Sequence, residues 1–84
     1  MEISRLQIEK ELKDILLTII DVVPEDLRSD ANLIQDLGVD SIKAIEIVIA
    51  IDKHFNVSLN DDISQVTTIA ETTDIIFNIL NKSK

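Results

Sequence analysis

The group in this chain best placed to do chemistry is the hydroxyl of Ser41. Residues 36–43 read Asp-Leu-Gly-Val-Asp-Ser-Ile-Lys, and a long apolar helix pattern begins at the serine. Gly38, three residues upstream, lets the chain turn sharply into that helix. The spacing predicts a primary hydroxyl at the exposed mouth of a helix N-terminus, where unspent backbone N–H groups favour a phosphate. Asp40 can serve as the helix cap and leave the Ser41 hydroxyl exposed. No general base lies nearby in sequence. The arrangement suits a serine that another enzyme modifies better than one that attacks a substrate. The plainer alternative makes Ser41 an ordinary cap.

A serine hydrolase would need a base. The single histidine, His54, stands thirteen residues further along the same predicted helix. At about 1.5 Å of rise per residue it lies about 20 Å from Ser41, beyond any nucleophile–base hydrogen bond. A continuous helix therefore excludes a Ser-His triad, and the chain is not expected to be an enzyme. His54 is expected on the surface near the helix C-terminus, where positive charge is mildly favoured. The chain has no cysteine, which removes disulfides and thiolate zinc sites. No stretch fits a calcium-binding loop with alternating aspartates and a closing glutamate. Weak divalent binding at Glu25, Asp26 and Asp30, or at Asp61 and Asp62, is an open alternative.

Sixteen acidic residues face eight basic ones, for a net charge of −8 in 84 residues. The basic residues are scattered, so nucleic acid is disfavoured as a partner class and none is expected. Only two aromatics occur, Phe55 and Phe77, which gives base stacking and aromatic sugar platforms little support. Basic partners are favoured, mainly through faster association. The longest apolar run, Ile47 to Ile51, is too short to span a membrane. The first residues show no basic stretch or apolar signal core. The expectation is one cytoplasmic domain over residues 1–84, a monomer without membrane insertion.

The elements that must position Ser41 read as all-α. Ser4 with Gln7 fits a capping box, and Ile3 with Ile8 a hydrophobic staple around it. Ile8, Leu12, Ile15, Leu16 and Ile19 form one apolar face of a first helix, ended by Val22, Val23 and Pro24. Residues 23–39 form a long connection whose Leu27, Leu33, Ile34, Leu37 and Val39 suggest packing against a bundle. A second helix is predicted from Ser41 to Phe55. A short third helix is predicted over Asp61 to Val66, capped by Asn60. Thr68 and Glu71 form another capping box that opens a last helix to about Leu80.

The second helix has two apolar faces. Ala44, Ile47, Val48, Ile51 and Phe55 fall on one side and are the natural core face. Ile42, Ile45 and Ile49 fall on the other, beside Glu46, Asp52 and Lys53. Either this second strip docks partners next to Ser41, or the 23–39 connection covers it, or its residues are scattered surface positions.

The stretch from Asp36 to Val48, Asp-Leu-Gly-Val-Asp-Ser-Ile-Lys-Ala-Ile-Glu-Ile-Val, resembles the attachment motif of acyl carrier proteins. That motif is written Leu-Gly-x-Asp-Ser-Leu, followed by an acidic, apolar helix. The likeness continues along the chain. Val23-Pro-Glu-Asp-Leu resembles the turn after the family's first helix. Phe55-Asn-Val-Ser-Leu-Asn-Asp-Asp resembles the segment leading into a short third helix, and Val66-Thr-Thr-Ile the entry to the last. The resemblance implies a four-helix bundle with a short third helix and a long loop between the first two. It implies a 4′-phosphopantetheine arm on Ser41, attached from coenzyme A by a phosphopantetheinyl transferase, with Asp40 aiding recognition by that enzyme. The arm's thiol would hold acyl groups as thioesters and deliver them to acyl-transferring and acyl-modifying enzymes. The second helix would be the recognition surface, through Ile42, Lys43, Ile45, Glu46, Ile49, Asp52 and Lys53.

Three positions depart from the pattern. Members serving fatty acid synthesis usually carry acidic residues where Lys43 and Lys53 stand, and leucine is commoner at Ile42. The attachment chemistry is unaffected, while a specialised acyl, polyketide or aminoacyl pathway stands beside the housekeeping one as an alternative. A cofactor-free acidic interaction module, docking through Ile45 and Ile49, is the third reading.

Overall fold

The computed structural model describes residues 3–59 and 68–82. Among them are three α-helices, α1 (Arg5–Ile19), α2 (Ser41–Phe55) and α3 (Ile69–Lys82), with a 3₁₀ turn at Pro24–Asp26 and no strand. The all-α expectation holds for these residues. The short helix expected over 61–66, with its Asn60 cap, lies outside the described residues.

Each helix starts where a short polar side chain can take a backbone N–H. Ser4 caps α1 by accepting from the Gln7 N–H. The capping box there is only half made, because the Gln7 amide turns away and donates to Glu11 at 2.6 Å. Ile3 packs against the core cluster that holds the fully buried Ile8, as a staple requires. The box at α3 is complete. Thr68 Oγ1 accepts from the Glu71 N–H at 3.1 Å, and Glu71 Oε1 accepts from the Thr68 N–H at 3.2 Å. At its C-terminus α2 closes on Asn56 in the left-handed region, φ 57°, which asparagine tolerates better than most residues.

α1 packs against both α2 and α3. Ile8, Leu12, Ile15 and Leu16 from α1 meet Ile47, Ile51 and Phe55 from α2 and Ile69 and Ile76 from α3 in one cluster. Burying such side chains contributes about 1.5–3 kcal/mol each before chain entropy is counted. Four expectations are corrected. Ile20, just past the helix end, is buried, while Ile19 is only half-buried. Ala44 and Val48 are also half-buried, because α2 meets α1 along a narrow seam centred on Ile47 and Ile51. Ile34 is exposed, lying on the outside of the turn that buries Leu33 and Leu37.

The 23–39 connection is packed through Leu27, Ala31, Leu33, Leu37 and Val39, all buried. It is also tied to α3 by main-chain bonds. Ala31 O accepts from the Ile69 N–H and Ser29 O from the Ala70 N–H, and Asn32 forms an isolated antiparallel bridge with Thr68. On the other side, the Ser29 hydroxyl donates to the buried Glu9 carboxylate of α1 at 2.5 Å. Arg5 donates to Asp74 at 2.6 Å and to the Ala70 carbonyl at 3.2 Å. One end of the molecule is thus closed by a polar clasp joining α1, the connection and α3.

Candidate functional site

The chain enters α2 through Gly38, whose φ of +71° is a conformation L side chains adopt with strain. Nothing lies within 4 Å of where a Cβ would stand. The glycine is therefore needed for backbone freedom and not for space. The Val39 N–H then donates to the Leu33 carbonyl at 2.9 Å, and Val39 is buried. Asp40 follows in extended conformation and caps α2, its Oδ1 accepting from the Lys43 N–H at 2.8 Å.

Asp40 thus does the capping, and Ser41 is the first helical residue with its side chain exposed. The Ser41 and Ile42 N–H groups have no acceptor among the described residues. They point out of the helix beside the serine hydroxyl. The positive end of the helix favours an anion there, typically by about 0.3–1 kcal/mol at an exposed position. A phosphate ester on Ser41 fits this setting without displacing any internal bond.

α2 runs unbroken to Phe55, which leaves His54 about 20 Å from Ser41 at the rise of an α-helix. The histidine is occupied elsewhere. Its Nε2 lies 2.7 Å from Glu11 Oε1, joining the far end of α2 to α1. Glu11 is held below its ordinary pKa first by the Gln7 amide and then by His54. The chain's one histidine is thus out of reach of the Ser41 hydroxyl.

The second apolar face of α2 is open. Ile42, Ile45 and Ile49 are 70%, 60% and 49% exposed, so the 23–39 connection does not cover them. Lys43 and Glu46 pair with each other at 3.4 Å across one turn. Asp52 turns one carboxylate oxygen inward to accept the Leu59 N–H at 3.1 Å, so part of its charge serves the fold. Lys53 is exposed near the helix end. Among the described residues no three metal-ligating side chains come together, and no helix is long and apolar enough to cross a membrane.

A family profile described as "Phosphopantetheine attachment site" matches residues 10–76, which contain the whole of this site. The chain belongs to the acyl carrier protein family. A curated acyl carrier protein of Buchnera aphidicola subsp. Acyrthosiphon pisum (strain 5A) is 31% identical over 72 residues, covering 84% of this chain and 90% of the relative. Acyl carrier proteins are carriers and not enzymes, and their cofactor is covalently attached 4′-phosphopantetheine. When attached, that group supplies a terminal thiol for thioesters. An acyl carrier protein without a single cysteine has no other source of one.

The residues that sequence reasoning missed are Asn32, Asp36, Ser29 and Glu9. An asparagine followed four residues later by aspartate, just ahead of Gly38, is a signal for a side-chain-bonded turn. Nothing in the local pattern marks the Glu9–Ser29 contact, which joins residues twenty apart.

Proposed function

We propose that Ser41 is the attachment site of this acyl carrier protein and that the holo form serves fatty acid, polyketide or related lipid biosynthesis. The observation that carries the reading is an exposed serine hydroxyl at the Asp40-capped, otherwise unspent mouth of α2, inside the matched family region. In the modification, Ser41 Oγ attacks the phosphorus of coenzyme A nearest the pantetheine. A new O–P bond forms, the bond to the bridging pyrophosphate oxygen breaks, and adenosine 3′,5′-bisphosphate leaves. The hydroxyl proton passes to a base of the phosphopantetheinyl transferase. Gly38 and Asp40 present the serine.

In this reading Ile42, Ile45 and Ile49 form the apolar contact with the transferase and with acyl-handling enzymes. Lys43, Glu46, Asp52 and Lys53 tune which enzymes bind. The Lys43–Glu46 pair leaves little net charge beside Ser41, so steering of a basic partner rests on the chain's overall charge of −8 and weakens with salt. An ionic-strength series of modification rates measures this, and a flat response would contradict it. The reading also includes one domain over residues 1–84, a four-helix bundle completed by the helix expected over 61–66, a monomeric state and a cytoplasmic setting. An aminoacyl or peptidyl carrier shares the same attachment chemistry, and the mass of the group loaded in the native cell separates the two.

Intact mass after incubation with coenzyme A and a broad-specificity transferase should rise by one phosphopantetheine. Ser41→Ala should abolish the gain and keep its helix content. A mass gain retained in the variant would refute the assignment, and a wild-type chain that never gains mass would favour a cofactor-free interaction module.

A further inference from the structure

Ser41 sits on α2, but its place relative to the rest of the molecule is set earlier in the chain. The turn over residues 32–37 is organised almost entirely by Asn32. Its side-chain Oδ1 accepts from the Ile34 N–H at 3.0 Å and the Gln35 N–H at 2.8 Å. Its carbonyl accepts from the Asp36 N–H at 2.8 Å and the Leu37 N–H at 3.1 Å. Its own N–H donates to Asp36 Oδ2 at 2.7 Å. The same residue is bridged to Thr68 at the start of α3. From this anchor an unbroken series leads to the site: buried Leu33 takes the Val39 N–H across the Gly38 turn, and Asp40 caps α2 one residue before Ser41.

We infer that Asn32 is a positioning residue for Ser41, acting with Asp36 by holding the 32–39 segment so that the serine hydroxyl meets the transferase in a reactive pose. The inference rests on the reading of Ser41 as the attachment site. Asn32 is only half-buried and Asp36 exposed, and neither lies in the hydrophobic core. Removing the Asn32 amide takes away the acceptor for two consecutive N–H groups. These then turn to water, and the path into Gly38 is no longer held to one shape. A nucleophile displaced by about 1 Å can lose on the order of a hundredfold in rate, so a smaller, fluctuating displacement is expected to lose about tenfold.

The test uses the full chain, coenzyme A and a broad-specificity transferase, with initial rates of modification followed by intact mass over a range of carrier concentrations up to saturation. Asn32→Ala should lower kcat about tenfold and leave the KM for the carrier little changed, as a misplaced nucleophile does and a lost docking contact does not. Asn32→Ser, which keeps a short side-chain acceptor without adding charge, should recover most of the rate. Asp36→Ala, a change at an exposed side chain, should lower the same parameter by less. Ser29→Ala weakens the connection at its other end, away from the 32–39 turn, and should lower the melting temperature without slowing transfer. Unchanged kcat in Asn32→Ala and Asp36→Ala would overturn the assignment, as would a loss that Ser29→Ala reproduces or that Asn32→Ser fails to recover. Failure of the wild-type chain to take up the group, or uptake by Ser41→Ala, would instead remove the reading on which the inference rests.

Discussion

α2 and α3 are nearly equal in length, and each opens behind a polar cap, yet their N-termini have opposite fates. At α3 three successive N–H groups are spent: Ile69 on the Ala31 carbonyl, Ala70 on the Ser29 carbonyl and Glu71 on Thr68 Oγ1. Its threonine hydroxyls are spent as well. Thr72 donates to the Thr68 carbonyl and Thr73 to the Ile69 carbonyl, each at 2.9 Å. At α2 the cap takes one N–H, two others face outward, and the hydroxyl beside them is exposed. The same split runs along their sides. No large apolar side chain described on α3 is left exposed, whereas α2 leaves three isoleucines open. A helix start closed by the chain's own carbonyls is part of the scaffold. A start left open beside an uncovered apolar strip is available to another molecule.

The largest expected effect separates the two sides of α2. Ile51→Ala and, on α3, Ile76→Ala remove fully buried side chains and should each cost about 2–5 kcal/mol. Ile45→Ala and Ile49→Ala should stay within about 0.5 kcal/mol, the usual range for surface changes, while slowing transfer to partner enzymes. Val48→Ala, at a half-buried position, should fall between. Equal losses in urea melts at all these positions would break the distinction between a core face and an open face.

A second effect probes the closed end through pH. The Ser29 hydroxyl is the main influence holding the Glu9 carboxyl below its ordinary value of 4.5. Lys13 and Arg5 add to this and burial opposes it. A depressed carboxyl pKa stabilises the fold above the unfolded value and loses that stabilisation as pH falls through the folded one. Ser29→Ala should therefore cost about 1.5–3 kcal/mol at neutral pH, the range for a bond to a charged group. The two stability curves should converge as pH drops well below 4.5. Parallel curves across that range would show that the clasp does not depend on the charge of Glu9.

The smallest effect sharpens the comparison most directly. Asp40→Ala and Thr68→Ala each delete one helix cap, and each should cost about 0.5–2 kcal/mol. Only Asp40→Ala should also slow phosphopantetheine transfer. Equal transfer rates in the two variants would mean that the mouth of α2 has no role beyond stability.

Much of this was legible in the chain itself because it is local. The 3.6-residue spacing of Ile47, Ile51 and Phe55, the caps at Ser4, Asp40 and Thr68, and the single glycine before an Asp-Ser pair are each set within a few residues. Their outcome follows from backbone geometry that neighbours barely alter. The bounds of α2 and the capping by Asp40 came out as read. Misjudged positions are those where the answer depends on what packs opposite. Ile34 has the same apolar character as Leu33 and Leu37 but falls on the outer side of a turn that Asn32 shapes through side-chain bonds. Val48 and Ala44 lie at the margin of a contact whose width depends on the approach of α1.

The residue types and spacing by themselves determined an all-α chain, a serine hydroxyl at a helix mouth, and a lone histidine about 20 Å from it along the same helix. Tertiary structure alone decided which helix mouth stays open and which isoleucines remain uncovered. The reason is that carbonyls of Ser29 and Ala31 meet the N–H groups of α3 across some forty residues of chain, and no carbonyl meets those of Ser41 and Ile42 among the described residues. Long-range pairing of this kind depends on where the core brings distant segments together, and local propensity carries no record of it.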